Sequence, residues 1–282
     1  MFILVKLSSE DYEAYILSTE EEIDSFLNRF NISVTETGKL IEEKNNYIGE
    51  PNYLETLFIE YINKLIVDFP SSKEISSSTR RILEKLPDFQ NQVISNPDKQ
   101  LLTWYGEEYK LFRMIEVQRY KSILTGFDTV ESFVNVANSV LNRRKSRAGK
   151  SLENHTAAIF SGNHLKFEEQ VKTEGNRKPD FIFPDGKAYH NSQFQVGKLT
   201  FLGAKTTCKD RWRQILNEAE RIPNKHLLTL QQGISPQQLD EMAEENVTLV
   251  VPQEYIKFYP VDYRERIWNV KKFIDFVKNK EI

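Results

Sequence analysis

Lys178-Pro179-Asp180-Phe181-Ile182-Phe183, then Gly203-Ala204-Lys205, then Lys209-Asp210-Arg211-Trp212-Arg213-Gln214-Ile215-Leu216-Asn217-Glu218 decide how this chain is read. The first stretch opens an apolar, β-prone run behind a proline. The second closes another such run, Lys198 to Thr206. In the third, Asp210 can cap a helix, and the pattern predicts one to about Arg221. Strand, strand and helix thus carry an acid, a lysine and a second acid. Alternation puts Asp180 and Ile182 on one strand face, Phe181 and Phe183 on the other. A lysine inside an apolar strand is costly unless it is paired, functional or able to snorkel to water.

The surrounding sequence extends this frame. Residues 165 to 171 predict a strand, as do His226 to Leu230 and Val247 to Val251, with helix-like Pro236 to Glu245 between them. Upstream, 99 to 123 reads as a long helix, Val130 to Leu141 as a second and Ser151 to Phe160 as a third. Tyr263 to Lys278 closes the chain as a helix. Strands interspersed with helices imply an α/β class with a mixed sheet flanked by helices on both faces. The first 50 residues read as a small α+β unit: strands at Met1 to Leu7 and Tyr12 to Leu17, then a capping box, Thr19-Glu20-Glu21-Glu22, that opens a helix to about Phe30. Residues 52 to 69 predict an amphipathic helix with Leu54, Leu57, Phe58, Tyr61, Ile62 and Leu65 on one face. Polar breaks at Pro70-Ser71-Ser72, Ser76-Ser77-Ser78 and 88 to 98 place a boundary between 70 and 98. The expected division is an accessory region 1–95 and a domain 96–282.

Composition bounds the function. The chain has 282 residues, 39% hydrophobic and 28% charged, which fits a soluble globular protein. No apolar run approaches the roughly 20 residues of a membrane span. One cysteine, Cys208, precludes an internal disulfide, and the four histidines have no zinc spacing, so a cytoplasmic protein is expected. The net charge of -3 does not announce nucleic acid, but its distribution is uneven. Residues 10 to 23 are strongly acidic. Residues 143 to 150 carry Arg143, Arg144, Lys145, Arg147 and Lys150 with no acid between them. Such a block is either a solvated face or a phosphate-neutralising one. Trp104 and Trp212 either pack in the core or stack on bases.

Phosphodiester hydrolysis needs a metal that holds the phosphate, activates water and stabilises the leaving oxygen. Magnesium takes carboxylates, water and phosphate oxygens, and a nearby lysine can stabilise developing charge. The common nuclease pattern puts an acid two residues before the lysine. Here that position is Gly203, so Glu218 would have to supply the second metal-binding carboxylate beside Asp180. Arg211, Gln214 and Glu218 recur at helical spacing, with Arg211 and Glu218 about 10 Å apart along the axis. Glu153 is a further candidate acid. This spacing alone is equally open to surface carboxylates and a strand-end lysine. Lys209-Asp210-Arg211 adds to it: lysine or arginine donates to guanine O6 and N7, and aspartate accepts from cytosine N4. The plainer reading of that triplet is a helix cap between exposed cations.

Three stretches then carry a resemblance: Asn142 to His155, Thr173 to Pro184 and Ala204 to Glu218. They resemble the catalytic domain of EcoRII-type type II restriction endonucleases over about residues 98 to 255. The resemblance implies the PD-(D/E)XK fold and Mg²⁺-dependent double-strand cleavage. It places the catalytic acid on Asp180, the lysine on Lys205, the relocated glutamate on Glu218 and the upstream acid on Glu153, with Asp180 and Glu218 holding metal. The G·C-reading segment falls on Lys209, Asp210 and Arg211, with Arg213 beside it. The basic block, Arg143, Arg144, Lys145 and Arg147, matches a segment that approaches DNA. A homodimer on a CCWGG-like site in double-stranded DNA, with a cognate DNA methyltransferase, is implied; CCNGG and CCGG stay open, because the motif reads only the CC/GG flanks. The first 95 residues are too short for the B3-like effector barrel of full-length EcoRII, which points to a direct-acting enzyme of the PspGI kind. The rivals are a structure-selective repair or recombination nuclease of the same fold and a catalytically inactive DNA-binding protein.

Overall fold

The computed structural model describes residues 1–8, 11–38, 52–123, 126–208 and 211–281. Short β-prone runs build its central sheet in the order β3 (Glu168–Glu169), β4 (Phe181–Phe183), β5 (Thr200–Lys205), β6 (Lys225–Thr229), β7 (Val247–Val250). β3, β4 and β5 run antiparallel, while β5, β6 and β7 are parallel. Side chains alternate between two buried layers. Phe181, Phe183, Leu202, Ala204, Leu228 and Val250 face one, and Ile182, Phe201, Leu227 and Leu249 the other. Parallel strands need cover on both faces, and the mixed α/β sheet expected from sequence is what forms. The strand expected over 165–171 shrinks to the two residues of β3.

The first layer is covered by α4 (Pro97–Tyr120), α5 (Val130–Gly162) and α9 (Val270–Glu281), through residues such as Tyr105, Phe160 and Phe273. α5 is one helix where two were expected, and the basic block lies inside it. Residues 142–150 contain no proline, and Arg, Lys, Ala and Ser tolerate a helix well. Its middle is tied to α4 by two ion pairs, Arg144–Glu116 at 2.6 Å and Arg147–Glu108 at 3.5 Å. α9 starts at Val270, not Tyr263. Residues before it are used otherwise: Trp268 bridges the outer edge of β7, donating to Leu249 O and accepting from Val251 N, both at 2.9 Å. The Asp98 carboxylate then caps α9, accepting from Val270 N at 2.8 Å and Lys271 N at 3.1 Å.

The serine-rich stretch read as a break is a helix, α3 (Ser72–Leu83), following α2 (Tyr53–Asn63). Ser76 and Thr79 bond back to the carbonyls of Ser72 and Ile75, both at 2.9 Å, so their hydroxyls are satisfied within the helix. Ile75 and Ile82 then pack with Phe58 and Ile62 of α2 and Leu111, Phe112 and Ile115 of α4. α2 stops at Asn63, short of the expected 69. At the N-terminus, β1 (Phe2–Lys6) and β2 (Tyr12–Ile16) pair antiparallel. α1 (Glu20–Arg29) opens on the expected capping box, Thr19 with Glu22. Its Ile23 and Leu27 join the layer that holds Ala204. On the opposite layer lies α7 (Pro236–Glu244), through Leu239 and Met242. Among the described residues, no helix is long and apolar enough to cross a membrane.

Candidate active site

The β4–β5 register pairs Phe181 with Leu202. One step further, Asp180 lies opposite Gly203, at the end of the sheet where β5 terminates in Lys205. Asp180 is 7% exposed. Its Oδ2 accepts from Ala204 N at 2.8 Å and from Lys205 Nζ at 3.2 Å; its Oδ1 accepts from Gln170 Nε2 at 3.0 Å. Three donors on one carboxylate fix its orientation. Gln170 sits just past β3 in the left-handed region, φ 53°, and lies 3.5 Å from Glu153 Oε2. That glutamate comes from the inner half of α5 and pairs with Lys150 at 2.6 Å. Burial, with the Asp180 charge adding, pushes its carboxyl above the ordinary range.

Gly203 explains how the second acid arrives. A Cβ there would lie 3.0 Å from Ile215 Cγ2 and 3.6 Å from the Phe201 ring. With no side chain at 203, the segment carrying Ile215 seats against the sheet. That segment is a 3-10 helix, Arg211–Asn217, not the α-helix expected as far as Arg221. Trp212 and Ile215 are both buried, three residues apart, which suits a three-residue turn. Positions 211, 214 and 217 then eclipse, so Glu218 is off the line drawn from Arg211 and Gln214.

Glu218 follows at once, its N–H bonded to Ile215 O at 3.0 Å, and the chain reverses at Ala219, φ 48°. A non-glycine residue in that region is unusual. The turn is held by Lys225 at the start of β6, whose ammonium donates to Ala219 O at 2.6 Å and to Glu218 O. Burial pushes this lysine down to about 8. Burial also pushes the Glu218 carboxyl up to about 7, the Asp180 charge adding and the Lys205 charge opposing. Glu218 Oε2 is buried with no hydrogen-bond partner in the protein. Asp180, Lys205, Glu218 and Glu153 therefore share one electrostatic neighbourhood.

Among the described residues, no three His, Cys, Asp or Glu converge tightly enough to hold a metal by themselves. The donor set nevertheless suits magnesium, which keeps several waters and takes one or two carboxylates plus phosphate oxygens. Carboxyls raised by burial, with the Asp180 charge adding, and an orphaned buried oxygen are the signature of a place where a cation is electrostatically wanted.

The DNA-facing candidates divide. Lys209 and Asp210 lie outside the described residues. Arg211 is bound to α1 through Glu20 and Asp24. Arg213 pairs with Glu241 and lies 4.6 Å over the Trp212 ring. Both tryptophans, 104 and 212, pack in the core. The basic block is not a solvated face. Arg147 is 3% exposed, paired with Glu108 and set 4.3 Å over the Tyr109 ring. Arg144 bonds Glu116 and Asn28 O. Arg143 stacks 3.8 Å from the Phe69 ring. Lys145 is exposed and lines a cleft that Glu153, Lys205 and Arg211 also line. The helical period turns Arg144 and Arg147 inward onto the acids of α4 and leaves Lys145 on the open side.

Gln170 and Lys225 escape a sequence reading. Gln170 follows a strand only two residues long, with no pattern to detect. Lys225 had a signal: like Lys205, it is a lysine adjoining an apolar β-prone run.

A mixed sheet with a buried acid on the antiparallel strand and a lysine on its neighbour defines the restriction-endonuclease class of α/β folds. Within it, this chain belongs to the EcoRII C-terminal family, whose model matches residues 112–274. The chain is 50% identical over 181 residues to the type II restriction enzyme EcoRII of Escherichia coli, covering 64% of this chain and 45% of that protein. It is 24% identical over 163 residues to the type II restriction enzyme SsoII of Shigella sonnei, covering 51% of this chain and 52% of that one. The chain thus spans about half the length of the curated relatives it matches. Among solved structures, metal-depleted Ecl18kI with uncleaved, modified DNA matches with a TM-score of 0.62 and 17% identity, over 80% of this chain and 83% of that one. A PspGI–substrate DNA complex matches at 0.59 and 16%, over 75% and 93%.

Proposed function

We propose that this chain is a type II restriction endonuclease that makes Mg²⁺-dependent double-strand breaks at a CC/GG-flanked, CCWGG-like site. The observation that carries the reading is the Asp180–Lys205 pair at 3.2 Å beside the buried, unpartnered Glu218 Oε2. Family membership and the DNA complexes of the structural relatives support it. Asp180 and Glu218 would hold the metal, which supplies an activated water and charge stabilisation at the phosphate when bound. Asp180 is kept in place by Ala204 N and Gln170. Lys205 presents its ammonium to the scissile phosphate and the attacking water. Glu153 stands behind Gln170 as an outer acid. Lys209, Asp210 and Arg211 read the flanking G·C pairs, and Arg213 contacts the strand beside them. In the basic block, Lys145 neutralises phosphate while Arg143, Arg144 and Arg147 brace α5. Residues 1–95 form an accessory region. A homodimer, each subunit cutting one strand, matches a nearly palindromic site. A cytoplasmic location and a cognate methyltransferase complete the role.

The test is digestion of plasmid DNA in Mg²⁺. Discrete bands whose sequenced ends share one site are expected, and Lys205→Ala should bind the same duplex without cutting it. Unmutated protein that binds but never cleaves would overturn the reading. Preference for branched over linear DNA would redirect it to a structure-selective nuclease.

A further inference from the structure

We propose that Glu20 and Asp24 of α1 are positioning residues that set the geometry of the DNA-reading corner, residues 207 and 211. The proposal rests on Arg211 reading DNA as argued above. α1 is fixed along its length. Its capping box uses Glu22, which accepts from Thr19 N at 2.9 Å and Ser18 N at 2.8 Å. Ile23 and Leu27 are buried in the main apolar layer. Its last turn receives Arg144, which donates to Asn28 O at 2.7 Å and Arg29 O at 3.1 Å, as suits a cation at a helix C-terminus. Glu20 and Asp24, four residues apart, share the face that remains and point at β5's exit.

There they meet two residues. Glu20 Oε2 accepts from the Arg211 backbone N–H at 3.0 Å, and its Oε1 lies 3.3 Å from Arg211 Nε. Asp24 Oδ2 accepts from Arg211 Nη2. The Thr207 hydroxyl is 3.0 Å from both Glu20 Oε1 and Asp24 Oδ1. Glu20 is 5% exposed, so this is a built contact and not a surface pair. Both acids offer only acceptor oxygens, and donors of Arg211 and Thr207 meet them. The two acids take Nε and Nη2 of Arg211 and fix the plane of its guanidinium. A bidentate contact to a guanine edge depends on that plane.

The test compares Glu20→Gln, Asp24→Asn and Arg211→Ala in the full chain, with Glu21→Gln on the exposed side of α1 as control. Cleavage is measured on a CCWGG duplex and on duplexes with one flanking G·C pair changed to A·T, together with thermal melting. Arg211→Ala should abolish discrimination between the duplexes. Glu20→Gln and Asp24→Asn should each narrow it by about tenfold, raising KM for the cognate duplex more than they lower kcat; the control should match the parent. A merely structural role would lower melting and slow all duplexes alike. An unchanged discrimination ratio in both variants, with Arg211→Ala impaired, overturns this proposal alone. Full discrimination in Arg211→Ala overturns the role of Arg211 and the proposal with it. Should Glu20→Gln fail to fold, Asp24→Asn decides, since Asp24 is less deeply buried than Glu20 and the change is isosteric.

Discussion

Replacing Glu218 by glutamine should stabilise the metal-free protein, although it removes a residue proposed to be essential. Burial and the Asp180 charge push this carboxyl up to about 7 from an ordinary 4.5. Between those values the folded chain binds more protons than the unfolded one, so stability falls as pH rises through the window. The full step is worth about 3 kcal/mol. Glu218 is half-buried, and solvent screening reduces that to about 1–2 kcal/mol. Glutamine keeps the shape and carries no charge to desolvate. Urea unfolding with a chelator present should therefore give equal stabilities near pH 4 and a variant more stable by about 1–2 kcal/mol near pH 8. Excess Mg²⁺ at the higher pH should raise the parent and leave the variant where it was, because a ligand stabilises only the state that binds it. Cleavage should be lost throughout. A chelated parent as stable as the variant near pH 8, or more stable, would refute the claim that this site holds an uncompensated carboxylate.

Other positions give sharper local tests. Gly203→Ala puts a methyl 3.0 Å from Ile215 Cγ2 and should cost about 1–3 kcal/mol in thermal melting, with cleavage reduced because Glu218 is displaced with that segment. Lys225→Met removes the ammonium from the carbonyls of Glu218 and Ala219 and should cut kcat by at least about tenfold while duplex binding in Ca²⁺ persists; unaltered kcat would sink the positioning role. Arg147→Met leaves buried Glu108 with His155 Nε2, at 2.9 Å, as a remaining partner and should cost about 2–3 kcal/mol by urea unfolding, far more than Lys145→Met at an exposed position of the same helix.

Much of the fold was legible because alternation and caps are local. Thr19 and Glu22 form the box their spacing announces, and Asp180 and Ile182 share the face that a two-residue period assigns. What failed depended on partners far along the chain. Nothing near Ser76 tells that its helix will be buried against α4, or that Glu108 and Glu116 will draw the basic block inward. The start of α9 is set by Asp98, more than 170 residues earlier. The site shows the same division. Asp180, Lys205 and Glu218 come into one neighbourhood, but the glutamate follows a 3-10 segment that seats where residue 203 has no side chain. Gln170 and Lys225 act through backbone turns, at Gln170 and Ala219, that sequence periodicity does not encode.

The 3-10 segment has a consequence for anyone who would re-engineer the chain. Arg211 opens it and Glu218 follows its last residue, with Trp212 and Ile215 pinning the span between them. There is no slack in which to retune one end while sparing the other. A library built at 211 to alter target choice will select turnover defects along with new preferences. The productive variants should carry compensating changes under the span, at Phe201 or Ile215, and not at the ends.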